Sequence, residues 1–383
     1  RYYESEDVNW IQSGDIYGVD TIIKTNTMIS NVAVRSLSAL HVYNPDYIVV
    51  AMYGGSVGNI AISKIEACVN QACCCIQTDN QNDLKFMYYW IYMCKSDFLR
   101  VSEGGGQPNI SQAKIRNQYY MQPPLAEQHR IADFLDTKCA EIDALTADIQ
   151  TQIDTLEQYK RSVITETVTK GLNPDAEMKD SGIQWIGNMP VHWDVIRGKY
   201  ILRYMQKPVR EDDGVITCFR DGEVTLRSNR REDGFTMSDK EIGYQGIDVG
   251  DLVVHGMDGF AGSIGISNSR GKASPVLNVL DTDQCKRYIM YYLRSMAYSD
   301  VFLALATGIR VRSCDLRWNK LAELSYPVPP LDEQNAIVKH IDSVLSKADA
   351  VIADKKAQLA TLDEYKKSLI FEYVTGKKEV PTS

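Results

Sequence analysis

Apolar side chains return every three or four positions through a long stretch of the chain: Ile131, Leu135, Ile142, Leu145, Ile149, Ile153, Leu156 and Val163. That spacing is the seam of a coiled coil and predicts one long helix from Ala126 to Lys170. With ~1.5 Å of rise per residue the helix would be a rod of about 65 Å. Moving every position on by 206 (337 − 131) gives Ile337, Ile341, Ala348, Val351, Lys355, Leu359, Leu362 and Leu369, a second seam broken only at Lys355. The pairs Pro123-Pro124 and Pro329-Pro330 exclude helix upstream of each rod, and Gly171 and Gly376 sit where a helix stop is expected.

The same offset carries literal sequence. Pro123-Pro124-Leu125-Ala126-Glu127-Gln128 recurs as Pro329-Pro330-Leu331-Asp332-Glu333-Gln334, and Leu156-Glu157-Gln158-Tyr159-Lys160-Arg161-Ser162 as Leu362-Asp363-Glu364-Tyr365-Lys366-Lys367-Ser368. The regions ahead of the rods repeat as well, at an offset of 204 (250 − 46). Asp46–Val50 and Gly54–Ser63 align with Gly250–Val254 and Asp258–Ser267, each a strand, a glycine turn and a strand. An aromatic helix is expected after each, Phe86 to Phe98 and Tyr288 to Phe302. The chain therefore reads as a mixed α/β domain followed by a long helix, twice. The expected boundaries are 1–122 for the first domain, 123–172 for the first long helix, 173–328 for the second domain and 329–383 for the second helix and tail. The second domain has a lead-in, Ile183 to Trp193, without a counterpart before the first. Because Arg1 matches position 205, a lead-in missing ahead of Arg1 is expected.

Composition narrows the function. Hydrophobic residues make up 44% and charged residues 24% of 383, a soluble globular balance. No apolar run approaches the roughly 20 residues that span a bilayer, and there is no signal peptide, so a cytoplasmic location is expected. The cysteines lack metal-site spacing, and Cys73-Cys74-Cys75 reads as small buried hydrophobes in a reducing compartment. The net charge of −8 counts against a chain that grips phosphate alone. If DNA is the ligand, basic residues must be concentrated locally or supplied by a partner.

The Pro-Pro-Leu-x-Glu-Gln starts, the Leu-x-x-Tyr-Lys-x-Ser repeats, the Asp180-Ser181-Gly182-Ile183-Gln184-Trp185-Ile186-Gly187 lead-in and the Gly105-Gly106-Gln107-Pro108-Asn109-Ile110-Ser111 loop resemble the specificity subunits of Type I restriction–modification enzymes. The resemblance covers nearly the whole chain. It implies a mixed α+β fold of two target-recognition domains separated by two long antiparallel coiled-coil helices, with a pseudo-two-fold internal repeat. Each domain would read one half of an asymmetric, bipartite double-stranded DNA target, while the helices set the spacer and dock two methylation subunits. Restriction subunits would complete the complex. No cofactor is expected in this chain; S-adenosylmethionine, ATP and Mg would belong to the partner subunits. Two domains related by a pseudo-two-fold can meet major grooves from one side, about 34 Å or one helical turn apart.

Candidate contacts follow from chemistry. Arg220, Arg227, Arg230 and Arg231 lie in a polar stretch, and Arg310, Arg312 and Arg317 cluster after Gly308. Arginine reads guanine bidentately and also clamps phosphate. The plainer reading is solvated charge, since Glu211, Asp212, Asp213, Glu232 and Asp233 are nearby. In the first domain the candidates are Gln107 and Asn109, which suit adenine edges, with Lys24, Arg35 and Tyr53. Lys160, Arg161, Lys366 and Lys367 are read as cations favoured by helix dipoles. No active site is read. Asn44-Pro45-Asp46-Tyr47 lacks the second proline of an adenine-methyltransferase motif and reads as a turn. Pro174-Asp175 and Glu177-Met178-Lys179 lie in one linker, not on separate strands around a metal. No Walker A loop is present, and His41, His129, His192, His255 and His340 are dispersed. Two other readings stay open: a fused restriction enzyme whose catalytic part preceded Arg1, and a coiled-coil scaffold with no DNA role.

Overall fold

The computed structural model of the chain describes residues 7–102, 108–230, 242–305 and 316–381. Its contacts divide it into two compact units, Arg1–Gln150 with Lys356–Ser383, and Thr151–Lys355. The long helices run Leu125–Lys170 and Leu331–Val374, so each unit contains a stretch of both.

The first unit is built on the strand Tyr47–Ala51. It lies antiparallel between Ile60–Ser63 (Ile48 opposite Ile62) and Cys73–Ile76 (Val50 opposite Cys74), with Thr21–Ile22 parallel at the outer edge. Both faces are covered. Ile48, Val50, Ile62 and Cys74 face the helix Leu84–Met93 and the long helices, while Tyr47, Val49, Ala61 and Cys73 face a second core with Ile11, Ile16 and Ile22. This two-sided burial explains why the strand reads as unbroken apolar sequence, and why burial pushes the Cys73 thiol up to about 12.

The second unit repeats that pairing. Leu252–His255 lies between Ile264–Ile266 and Leu277–Asp281, the first unit's central strands moved on by 204. The isolated Tyr43 to Ala67 bridge recurs as Ile247 opposite Gly271. Gly58 and Gly262 close equivalent turns at φ +77 and +97, backbone that favours glycine. The edges differ. The second sheet adds Arg203–Met205 beside Leu277–Asp281. It also carries the hairpin Ile216–Cys218 with Val224–Leu226, where the first unit has a 3₁₀ turn at Ser13–Ile16. Each aromatic helix is interrupted: Leu84–Met93 is followed by Lys95–Arg100, and Lys286–Tyr298 by Val301–Ala304, the second break occurring at the left-handed Asp300 (φ +55).

Within each unit the long helices run antiparallel. In the first, Lys366 reaches Asp143 at 2.7 Å and Phe134 packs on Tyr373; in the second, Lys160 reaches Asp349 at 2.6 Å. These are one interaction in two copies, since both residues of each pair are related by 206. The expectation that Lys160 and Lys366 serve the helix dipoles is corrected, because they bridge to the facing helix well short of the last turn, where the dipole acts. Arg161 lies over the Tyr298 ring, and Lys367 pairs with Asp363 and Glu364 on its own helix. Lys355, the break in the seam, bonds the side chain of Gln152. The seam also loses one expected member in each copy: Leu145 and Val351 are 50% and 44% exposed. A contact between only two helices is narrow, and these positions fall beyond its edge while Ile142, Ile149, Ala348 and Ile352 fill it.

Candidate nucleic-acid interface

In the second unit the hairpin turns Arg220 back beside the residues that follow it. Arg227 opens a 3₁₀ turn after Val224–Leu226 and donates from Nε to Thr217 Oγ1 at 3.3 Å. Arg230 lies over the Phe219 ring at 4.2 Å and pairs with Asp221 at 2.7 Å and Glu223 at 3.4 Å. Arg220, 64% exposed, pairs with Asp258 at 3.3 Å. The three arginines line one groove of about 660 Å³ with Phe219, His255, Asp258 and Ser263. Its loop is anchored from behind, where Arg294 of the aromatic helix donates to the Asp221 carbonyl at 2.8 Å. Exposed ion pairs contribute little to stability, so phosphate or a base edge can replace the acids as partners of these arginines.

His255 ends the central strand at the groove. Its Nδ1 accepts from the backbone N–H groups of Met257 at 3.2 Å and Asp258 at 2.9 Å, shaping the turn that presents Asp258 to Arg220. Burial holds the imidazole below its ordinary pKa; Asp258 opposes that shift and Arg220 adds to it. The unfolded chain therefore takes up the proton first, and this contribution to stability is present above the ordinary histidine pKa of about 6.5 and lost as pH falls below it. His255→Asn keeps an acceptor without the titration. We expect the melting temperature of the wild type to fall more steeply than that of His255→Asn between pH 7 and pH 5. Parallel pH profiles of the two proteins would show that burial does not depress the His255 pKa.

Arg317 is exposed beside the same turn. Leu316 N–H donates to Gly256 O at 2.8 Å, and the buried Asn278 amide donates to Val254 O and Leu316 O. The first unit makes the equivalent closure, from Ile110 N–H to Met52 O at 2.9 Å, and there Tyr53 bridges Asn109. Tyr53 and Asn109 are thus brought together, both exposed. Lys24 is exposed after the strand Thr21–Ile22 and Arg35 in the helix Asn31–Ser36; among the described contacts neither joins Tyr53. Gln107, Arg231, Arg310 and Arg312 lie outside the described residues.

Several sequence expectations change in detail. Of the acids thought to neutralise the arginines, Asp213 is buried and pairs with Arg270, whereas Asp221, Glu223 and Asp258 are the groove's acids. Phe219, Thr217 and His255 were not singled out; a hairpin between Cys218 and Val224 is the signal that would have found the first two. Tyr47 is fully buried, so the Asn44-Pro45-Asp46-Tyr47 stretch offers no aromatic ring to a base. Among the described residues no group of three or more His, Cys, Asp or Glu could hold a metal ion, and no helix is long and apolar enough to cross a membrane.

Residues 1–155 match the family model for the Type I restriction modification DNA specificity domain. The putative type I restriction enzyme MjaX specificity subunit of Methanocaldococcus jannaschii is 25% identical over 323 residues, which is 79% of this chain and 70% of that protein. The MjaVIII specificity subunit of the same organism is 22% identical over 356 residues, 88% of this chain and 80% of that one. Among solved structures, a chain from a study of complex assembly and conformational transition of the type I R-M system superposes with a TM-score of 0.68 at 14% identity. It covers 96% of this chain and 91% of its own length, a likeness of fold.

Proposed function

We propose that the chain is a type I restriction–modification specificity subunit without catalysis of its own, a reading supported by the family model that matches residues 1–155 and by the likeness to two such subunits over most of the chain, and that it selects a bipartite, asymmetric DNA target, one half-site per unit. One observation carries this reading. The two units share strand register at a fixed offset of 204, yet they differ at the tips, with a basic groove around Arg220, Arg227 and Arg230 in one and the Tyr53–Asn109 corner in the other. A shared frame with divergent tips is what two related readers of unlike sequences require. In this reading two methylation subunits dock on the long helices and supply S-adenosylmethionine chemistry, restriction subunits supply ATP- and Mg-dependent cleavage, and Arg317, Lys24 and Arg35 belong to the DNA-facing surface. Partners also resolve the charge problem, because a chain at −8 needs added positive surface to hold a phosphate backbone.

The test is a methylome. The chain is expressed with its methylation partner in a host lacking adenine methylation, and modified adenines are mapped by long-read sequencing. A two-part motif with a fixed gap, absent when this chain is omitted, is expected. Methylation without such a motif, or one independent of the chain, overturns the proposal.

A further inference from the structure

Each unit ties its aromatic helix to its long helix through the same polar device. Gln128 and Gln334, the last residues of the repeated Pro-Pro-Leu-x-Glu-Gln motif, are both 0% exposed. Gln128 Oε1 accepts from the backbone N–H of Asp83 at 2.8 Å, and its Nε2 donates to Pro123 O at 2.9 Å and Gln81 O at 3.0 Å. Gln334 Oε1 accepts from the N–H of Cys285 at 3.0 Å, and its Nε2 donates to Pro329 O at 2.9 Å and Gln284 Oε1 at 2.7 Å. Asp83 and Cys285 are the N-caps of the two aromatic helices. One side chain therefore fixes the start of the long helix against the start of the aromatic helix, and it does so twice.

A second attachment lies eight residues further along each long helix, about 12 Å away. Asp136 accepts from Tyr89 Oη at 2.8 Å and pairs with Lys85. Asp342 accepts from Tyr291 Oη at 2.6 Å and pairs with Arg287 at 2.5 Å. Apolar contact alone is non-directional and lets a packed element pivot. Two sets of directional hydrogen bonds, separated along both helices, fix position and direction together. Aligned on Tyr89 and Tyr291, the two aromatic helices share that residue alone by identity, with Phe86 and Trp90 of the first replaced by Tyr288 and Tyr292 in the second.

We propose that Gln128 with Asp136–Tyr89, and Gln334 with Asp342–Tyr291, are positioning residues for the gap between half-sites. By holding each recognition unit rigid on its own helix, they restrict the DNA spacer that can be engaged, without touching a base. This rests on the two-part reading proposed above. A recognition domain able to pivot would meet its half-site one base pair nearer or farther at little added cost, whereas a fixed one meets it at a single distance.

The experiment uses the full chain with its methylation partner, comparing wild type with Gln128→Met and Tyr89→Phe and with the second-unit pair Gln334→Met and Tyr291→Phe. The readouts are the methylome and the melting temperature. We expect the same half-site bases in every variant, with about a tenfold rise in the share of modified sites whose gap is one base pair longer or shorter. Tyr→Phe removes one oxygen and keeps the ring, so it decides the matter where the glutamine variant does not assemble. A lower melting temperature with the original single gap overturns the proposal, since that is what a merely structural role predicts. A wild type with no two-part motif overturns the underlying reading instead, and the two failures are told apart by the wild-type lane alone.

Discussion

Gly265→Ala is expected to abolish the packing of the hairpin Ile216–Cys218 with Val224–Leu226 on the second sheet. A Cβ on Gly265 would lie 1.9 Å from the Gly222 carbonyl oxygen and 3.0 Å from Val224 Cγ2. The first obstacle is backbone, so no rotamer change relieves it, and the hairpin must leave the strand Ile264–Ile266 that supports it. The bridge from Val224 to Ser267 and the turn carrying Arg220 move with it. Overpacking of this kind costs roughly 3 kcal/mol or more, a large share of the ~5–15 kcal/mol that holds a typical domain. The first unit supplies the contrast, because position 61, the equivalent of 265, is Ala61, whose Cβ is accommodated fully buried beside Ile11, Ile16 and Ile22. Ala61→Gly should cost about 1 kcal/mol. Thermal melting of both variants checks the pair; a Gly265→Ala protein that melts within a degree or two of the wild type would show that the hairpin does not rest on this strand. The methylome should then localise the damage, with the motif degraded in one half-site and intact in the other.

The duplicated architecture was open to sequence reading because it rests on local signals. Gap-free repetition, seam spacing, Pro-Pro starts and glycine turns all act over a few residues, and the observed strands follow the offset of 204. What escaped depends on distant partners. Gln128 was visible as a motif letter, but its role needs Asp83, 45 positions upstream, and nothing local distinguishes a buried amide from a solvated one in a helix's first turn. Leu145 fits the heptad as well as Ile142 does, and only the width of the facing helix decides that it is exposed. The arginine cluster was legible for a simpler reason. A tight hairpin joins Arg220 to Arg227 and Arg230, so nearness in sequence became nearness in space. The identity of their acidic partners was not, since Asp258 arrives from the turn after the central strand and Asp213 is withdrawn into a pair with Arg270.

The combined variant Arg220→Gln, Arg227→Gln, Arg230→Gln should lose one half of the target while leaving the fold in place. Each arginine is partly or largely exposed, and glutamine keeps much of the stem that packs on Phe219 and along the groove. The melting temperature should therefore change little. Binding should change greatly, because a bidentate arginine contact to a base discriminates by about 1–3 kcal/mol and a phosphate contact adds a salt-dependent share. For three residues together the modification of cognate sites is expected to fall by at least about 100-fold. The single variants then separate the two chemistries. An arginine that reads a base should relax the motif at one position of one half-site. An arginine that clamps phosphate should weaken all sites alike and lower the slope of log affinity against log salt by about one. Arg230, stacked on Phe219 and held by two acids, is the most fixed of the three and so the best suited to read a base; Arg220, the most exposed, fits the phosphate role. An unchanged methylome and an unchanged salt slope in the triple variant would place the DNA on another surface of the second unit, and Arg317, beside the turn at Gly256, would be the next residue to replace.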